Sequence, residues 1–563
     1  MKLTGGQIVC ESLLREGVEV VFGIPGGALI PLYDTLPQYP ELRHILTRHE
    51  QGAAHAADGY SRATGKVGVA FGTSGPGATN LVTGIACAHM DSIPTVFITG
   101  QVARAAIGKD AFQETDVTGI TLPITKHNYL VMRASDIAEA IKEAFFIAKS
   151  GRPGPVLVDI PKDVFTEVAD FAYPEQINIP SYTATNTIDR NQINGAANLI
   201  NNAARPLILA GHGVIFSDSY DELLEIAEKA QIPVITTLLG ISSFPETHRL
   251  SVGMPGMHGM AYASLAIDEA DVVIGLGMRF DDRVTGDTSK FAPNAKIVHI
   301  EIDPTEINKN IHATAPVIGD LKCALKYLVP EIHSRSNEEW IQRIEELKRD
   351  HPLMRESQSE DLLPQHIIQA ISDSTNGNAI IVTGVGQHQM WAAQHFTFSR
   401  RNSFITSGGL GTMGFEVPAA LGAQVGRPGE VVWSIAGDGG FQMTMSELAT
   451  IKENNIPVKF AIFNNNNLGM VRQWQEMFYD KNYVAVNYTG NPDFVKLAEA
   501  FGILGLRVDK RSDMVDTIRK ASEHNGPVVI DFVIPSEQSV YPMIPAGTST
   551  EQLMEEPEKG VAK

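Results

Sequence analysis

The chain has 563 residues, with 45 Lys and Arg against 65 Asp and Glu, so its formal net charge is −20. A composition of 43% hydrophobic and 20% charged residues is that of folded globular protein, which excludes a disordered, collagen-like or coiled-coil chain. The acidic balance argues against binding nucleic acid or docking on anionic lipid, because either needs a basic face. At roughly 150 residues per domain the length predicts three or four domains. Cys10, Cys87 and Cys323 are too few and too scattered for a disulfide framework or a zinc site, and a reducing compartment fits them. No apolar run approaches the roughly 18 residues of a membrane span. The N-terminus passes straight into a helical pattern without a charged and apolar leader, so a cytoplasmic protein is expected.

In chain order, residues 1–165 alternate short apolar runs with helical stretches. Residues 18–22 read as a strand, 23–27 as a turn and 28–36 as a helix. Residues 44–47 read as the next strand, followed by a helix over 51–63. Further strands are read at 67–71, 95–99 and 156–160. These runs are continuously apolar rather than alternating, which predicts a parallel sheet covered on both faces. Residues 166–190 lose the rhythm and read as a linker. A second α/β block spans 191–330, with strands at 207–210, 234–236, 272–276 and 297–302. Residues 331–364 read as a second linker that includes a charged helical stretch at 337–350. The third block, 365–535, carries strands at 380–383, 431–435, 458–463 and 527–533. The polar segment 536–563 reads either as a frayed tail or as a lid. The fold class is therefore α/β, with three doubly wound parallel-sheet domains and no residue-level repeat between them.

The strongest chemical signal follows the strand at 431–435. Ala436-Gly437-Asp438-Gly439-Gly440 puts a carboxylate in a glycine turn at a strand's C-terminal end, where a diphosphate can approach the main chain and a helix N-terminus. Some two dozen residues later a second strand ends in Asn464-Asn465-Asn466-Asn467-Leu468-Gly469. Asp438 and Asn465 supply two oxygen ligands, and a magnesium ion can complete its shell with diphosphate, main-chain and water oxygens. Alone, each half is ordinary turn chemistry. Together, at this spacing, they form the motif of thiamine-diphosphate enzymes.

Thiamine chemistry also needs a carboxyl that hydrogen-bonds the pyrimidine ring inside an apolar pocket. Glu50 is the candidate, just after the strand at 44–47 within Arg48-His49-Glu50-Gln51. Without the second motif it would read as an ordinary carboxylate at a helix N-terminus. Gly23-Ile24-Pro25-Gly26-Gly27 and Thr73-Ser74-Gly75-Pro76-Gly77 are strand-to-helix turns that can line a pocket or serve as packing corners. Neither carries the Lys of a phosphate-binding loop.

Over almost its full length the chain resembles the large catalytic subunit of acetohydroxyacid synthase, also called acetolactate synthase, of the biosynthetic type. The phrases that carry the resemblance include Phe22-Gly23-Ile24-Pro25-Gly26-Gly27, Asp110-Ala111-Phe112-Gln113-Glu114, Arg279-Phe280-Asp281-Asp282-Arg283, Val385-Gly386-Gln387-His388-Gln389-Met390-Trp391 and Met470-Val471-Arg472-Gln473-Trp474. The resemblance implies a pyrimidine-binding, a central FAD-binding and a diphosphate-binding domain. It implies decarboxylation of pyruvate and transfer of the two-carbon unit to pyruvate or 2-ketobutyrate, on the route to valine, leucine and isoleucine. Glu50 of one subunit would then serve the diphosphate held by another, in a homodimer or homotetramer. A small regulatory subunit is a further implied partner.

By the same resemblance Val385, Gly386, Gln387, His388, Gly411, Gly437, Asp438, Gly439, Gly440, Asn465, Asn467, Gly469 and Met470 hold thiamine diphosphate. Asp438, Asn465 and the main chain of Asn467 hold magnesium. Met413 and Met443 support the cofactor's bent shape, although a Met is more often core filler. Gly27, Gln113 and Lys162 resemble residues near the reacting keto acid, and an exposed Lys162 would otherwise be plain solvated surface. Met470 and Trp474 resemble the second-substrate pocket. Gly211, Gly213, Thr237, Leu238, Met257, His258, Gly277, Arg279, Arg283, Glu301, Ile302, Asp320 and Arg152 fall at FAD-contacting positions, and arginines suit dinucleotide phosphates. The flavin-free catabolic relatives lack the Arg279–Arg283 run. The segment containing Tyr541-Pro542-Met543-Ile544-Pro545 resembles one that closes over the site. Asn466-Asn467 replaces more varied residues of the family. Glu416, in Gly414-Phe415-Glu416-Val417-Pro418, falls where a small residue is expected. A pyruvate oxidase-type flavoenzyme and an inactive cofactor-binding scaffold are the alternatives.

Overall fold

The computed structural model describes residues 1–180, 182, 187–354 and 360–557. Parts of both linkers and the last six residues of the tail lie outside this set. Three six-stranded sheets dominate the fold, and every pairing within them is parallel. The first runs in space Arg43–Leu46, Val20–Gly23, Gly68–Gly72, Thr95–Gln101, Val156–Pro161, His127–Leu130. The third runs Phe404–Thr406, Ile380–Thr383, Val432–Gly437, Lys459–Asn464, Val528–Val533, Leu504–Val508. Counted within each sheet, both have the strand order 2-1-3-4-6-5. The first and third blocks thus repeat a topology that no residue pattern betrays.

The middle sheet differs. Its spatial order is Ser251–Gly253, Val234–Thr236, Pro206–Ala210, Val272–Leu276, Lys296–Glu301, Ala315–Ile318, or 3-2-1-4-5-6. That is the order of dinucleotide-binding sheets. In all three sheets the chain reverses direction of travel beside the first strand, leaving a crevice at the strands' C-terminal ends.

The inner strands are buried along their length, as continuous apolar runs require: every residue of Thr95–Gln101 and Pro206–Ala210 is buried. The sequence pattern misses His127–Leu130, Ser251–Gly253, Ala315–Ile318, Phe404–Thr406 and Leu504–Val508. All five are edge strands, short or half-exposed, where no continuous apolar run is needed. The first linker also holds a strand, Val168–Asp170, which pairs antiparallel with Lys2–Thr4 at the very N-terminus. The frayed-tail reading fails for residues 536–557. Val540 and Met543 are fully buried, and the Ile544 amide donates to the Met257 carbonyl at 2.8 Å. Among the described residues no helix is long and apolar enough to cross a membrane.

One helix crossing fixes the first block against the third. Helix Glu50–Thr64 lies on helix Glu416–Gly426 through Gly59 and Gly422. A Cβ on Gly59 would sit 2.1 Å from the Ala419 carbonyl oxygen, and one on Gly422 would sit 1.9 Å from that of Ala56. Both obstructions are main chain, so neither can swing aside. Gly422→Val is expected to cost about 1–3 kcal/mol or more through overpacking. A lower thermal midpoint than wild type checks this, and an unchanged midpoint would refute the close crossing.

Candidate functional site

At the reversal point of the third sheet, strand Ile380–Thr383 leads into Gly384-Val385-Gly386 and helix Gln387–His395. Strand Val432–Gly437 leads into helix Asp438–Thr444, which opens on the Asp438 carboxylate. The next strand, Lys459–Asn464, ends at the asparagine run. The structure therefore brings Asp438, Asn465 and Asn467 to adjacent strand ends. Asp438 Oδ1 accepts from the Gly439 amide at 3.0 Å, and Asn491 Nδ2 donates to its Oδ2 at 2.7 Å. Burial pushes the Asp438 carboxyl up to about 6, against the pull of these donors. Asn465 Oδ1 accepts from the Asn467 amide at 3.0 Å, which bends the run back on itself. One buried carboxylate among amide and main-chain oxygens is a donor set that suits a hard cation. Asn491 was missed in the sequence. It stands in a Gly-Asn-Pro loop with no local sign of its target.

Gln387 lies against this group. Its Nε2 donates to Gln473 Oε1 and to the Gln538 carbonyl, both at 2.8 Å. His388 is buried, its acidity held near 3 by burial, so the imidazole is neutral. Met413 lines the cavity described below, and Met443 packs on the next residue, its Cβ 3.0 Å from the Cβ position of Gly414. Met443 nevertheless exposes 61% of its surface.

Glu50 opens helix Glu50–Thr64, with His49 as cap. Asn80 Nδ2 donates to its Oε2 at 2.9 Å. Its other oxygen lies beside Gly77, and the turn at Gly26 packs on Thr73, so Glu50 and the two glycine turns form one cluster. Gln113 joins it with its main chain against Gly75, at a φ of +61°. Gly27 is exposed beside the cluster, and Lys162 is exposed at the start of helix Lys162–Thr166. The loop before Glu50 hangs on the third block: Glu447 Oε1 accepts from the amides of Arg48 at 2.9 Å and His49 at 3.0 Å. These partners stand almost 400 residues apart, and no local signal could have found Glu447.

A cavity of about 850 Å³ opens at the reversal point of the middle sheet. Arg152, Gly213, Thr237, Leu238, Met257 and His258 line it. Gly277, Arg279, Arg283, Glu301, Ile302 and Asp320 complete that part of the wall. Gly211 does not line it. It packs beneath, its Cβ position 2.3 Å from the Gly277 carbonyl oxygen. Arg152 is braced by Ser92 Oγ at 2.7 Å and Glu306 Oε1 at 2.8 Å. Burial raises the Glu301 carboxyl to about 7. The cavity continues to Val385, Gly386, Gly411, Met413, Met470 and Trp474, while Glu50, Gly27 and Gln113 stand outside it. Two site regions read separately in the sequence thus share one space.

A stretch of its lining, residues 407–411, is anchored from the first block. Asp91 accepts from the amides of Gly408 at 3.0 Å and Gly409 at 2.6 Å. Arg62 binds Asp91 at 2.7 Å and Asp58 at 2.5 Å, and it donates to the Thr406 carbonyl at 2.9 Å. All three side chains are inaccessible or nearly so.

Comparison with known proteins accords with this geometry. Three thiamine pyrophosphate enzyme models match: the N-terminal TPP binding domain over residues 3–120, the central domain over 193–328 and the C-terminal TPP binding domain over 384–532. The chain is a thiamine-diphosphate-dependent enzyme. It is 50% identical to the acetolactate synthase large subunit of Mycobacterium tuberculosis, covering 98% of this chain and 91% of that one. The large subunit of Lactococcus lactis is 45% identical over 98% of this chain and 96% of its own. The probable large subunit of Methanococcus aeolicus is also 45% identical, over 98% and 95%. This chain belongs to the acetolactate synthase large-subunit family.

Replacing Arg62 by Leu leaves Asp58 and Asp91 buried and uncompensated. The expected cost is about 3–5 kcal/mol. Denaturation of the purified variant checks it, and a midpoint equal to wild type would show that the triad carries no net stability.

Proposed function

We propose that this enzyme decarboxylates pyruvate and transfers the two-carbon unit to a second 2-keto acid. Pyruvate as acceptor gives 2-acetolactate, and 2-ketobutyrate gives 2-aceto-2-hydroxybutyrate, the precursors of valine, leucine and isoleucine. The observation that carries the reading is near-full-length similarity to acetolactate synthase large subunits combined with the acidic and asparagine strand ends of the third sheet.

Thiamine diphosphate, when bound, supplies the electron sink that lets a keto acid lose carbon dioxide and makes its former carbonyl carbon a nucleophile. The protein's part is binding, orientation and proton control. Glu50 holds a proton at the pyrimidine ring, and Asn80 fixes the carboxyl that holds it. Asp438, Asn465 and the Asn467 carbonyl would hold a magnesium ion that neutralises the diphosphate. Met413 and Met470 give the reacting centre an apolar wall that keeps water from quenching the nucleophile. Trp474 borders the space for the second keto acid, where an aromatic face favours the extra methylene of 2-ketobutyrate.

FAD fits the middle cavity. The sheet order is that of dinucleotide-binding folds, the volume suffices for a cofactor and Arg152, Arg279 and Arg283 offer guanidinium groups to phosphates. Decarboxylation followed by carbon–carbon bond formation balances without an oxidant, so the flavin's role is structural. The active site is completed by a second copy of the chain in a homodimer or homotetramer. Glu50, Gly27 and Gln113 lie outside the space bordered by Met413 and Trp474, while Met443 and Phe112 expose 61% and 89% of their surfaces. A small regulatory subunit and a cytoplasmic location complete the reading.

Purified protein given pyruvate, thiamine diphosphate, magnesium and FAD is expected to release acetolactate and carbon dioxide with the flavin left oxidised. Acetate or acetyl phosphate formed with flavin bleaching would instead make it a pyruvate oxidase. Glu50→Gln is expected to lower kcat by about 10²- to 10⁴-fold while cofactor binding persists. Undiminished turnover would remove Glu50 from the chemistry. With both keto acids present, Trp474→Leu is expected to raise the acetolactate share of the product by about tenfold, the worth of one methylene contact. An unchanged ratio would place the acceptor elsewhere.

A further inference from the structure

Glu416 is fully buried at the start of helix Glu416–Gly426, and both of its carboxyl oxygens lack a hydrogen-bond partner. The amides of Gly414 and of Glu416 itself approach the carboxyl but miss hydrogen-bonding geometry. His388 presents a second orphan, its buried Nε2. The two stand over the same glycine. Measured from the position a Cβ would take on Gly384, Glu416 Oε2 is 2.5 Å away and His388 Nε2 is 2.7 Å away. Only a residue without a side chain leaves them this shared space. The other edge of the imidazole faces the reversal point: Nδ1 lies 2.9 Å from the Cβ position of Gly437 and 3.3 Å from that of Gly386. Glu416 Oε1 stands 2.6 Å from the Cβ position of Gly440.

We propose that Glu416 is a positioning residue that keeps its proton and closes across the space over Gly384, where this structure leaves both groups unpaired, to donate it to His388 Nε2, so that His388 carries its own proton on Nδ1 and offers it to the cofactor's diphosphate. The inference deepens the functional reading above and rests on it. A neutral imidazole has one N–H and one lone pair, and the partner of one nitrogen decides which is which. Left alone, His388 could turn a lone pair toward an anion and repel it. A donor at Nε2 forbids that tautomer. An ionised carboxylate could not donate, and it would set a negative charge behind the diphosphate. Burial favours the neutral carboxyl and raises its acidity constant to about 7. The titratable groups on the elements packed around Glu416 are His388, Asp438, then Glu447, Lys452 and Glu453 on helix Glu447–Glu453, and Glu50, His55, Asp58, Tyr60 and Arg62 on helix Glu50–Thr64. Burial opposed by two amides accounts for the shift, with no charge among its causes.

The test is the affinity of the apoenzyme for thiamine diphosphate with magnesium, measured by titration calorimetry. Glu416→Gln retains a donor and is expected to bind as wild type does at pH 6. Glu416→Leu keeps the volume, loses the donor and is expected to bind about tenfold more weakly. In a His388→Ala background the Leu change should cost nothing further. Between pH 6 and pH 9 wild type should lose about tenfold more affinity than the Gln variant, because the carboxyl ionises and the amide cannot. Equal affinity of the wild-type, Gln and Leu proteins, or a Gln variant as weak as Leu, would overturn the inference. So would a full tenfold loss in the His388→Ala background. Failure of wild type itself to bind the cofactor would overturn the functional reading instead.

Discussion

The arrangement of the site depends on one steric constraint, the crossing of two helices at glycines. Helix Glu50–Thr64 reaches helix Glu416–Gly426 so closely that main-chain carbonyls occupy the Cβ positions of Gly59 and Gly422. The crossing sets the distance between the first and third sheets. It brings Glu447 under the loop that carries Glu50, and its N-terminal end carries the Glu416 carboxyl to the diphosphate turn. A wider crossing would break the Glu447 bonds to the Arg48 and His49 amides and leave the buried Glu447 carboxylate short of donors, at about 1–3 kcal/mol. Small residues at this one place therefore govern polar geometry at both ends of two helices.

Three sheets, built on two topologies, use the same location for chemistry. In each, the polar cluster gathers where strand order reverses: Glu50 and the glycine turns in the first, the cavity at Gly213 and Gly277 in the second, Asp438 and His388 in the third. The reason is general. Neighbouring loops at a reversal point turn away from each other, which leaves a crevice ringed by helix N-termini. The crevice admits an anion without a dedicated basic patch, consistent with a chain whose net charge is −20.

Much of this was legible in the sequence, for physical reasons that also mark where legibility ends. Inner strands such as 95–99 and 272–276 declare themselves because both faces must be apolar. The edge strands His127–Leu130 and Leu504–Val508 need only one covered face and leave no run to read. The Asp438 and Asn465 pair stood out because both residues end strands in a fixed spacing. Asn491, Glu447 and the Arg62–Asp58–Asp91 triad did not, because each acts on a residue that only the fold brings near. Glu416 was visible as a misfit, but its meaning needed the empty space over Gly384.

The shared cavity bears on why a flavin would be kept by an enzyme whose reaction passes no electrons to it. Residues 407–411 line the same cavity as Gly213 and Gly277 on one side and Met413 and Trp474 on the other. One side of that loop is tied to Asp91 through the Gly408 and Gly409 amides, and the other faces the open cavity. A loop held on one side and unsupported on the other can move into the space beside it. The proposed flavin would fill that space and close the second side. On this argument a bound flavin would act as a packing element that steadies residues 407–411, and its redox state would not enter turnover. The tail, whose Ile544 amide bonds the Met257 carbonyl, also meets through Val540 the side chain of Gln473 on the helix that carries Trp474. The cavity wall at Met257, the tail and the helix that carries Trp474 are therefore one mechanical unit, and a displacement of any of them reaches the other two through one main-chain hydrogen bond and the Gln473 side chain.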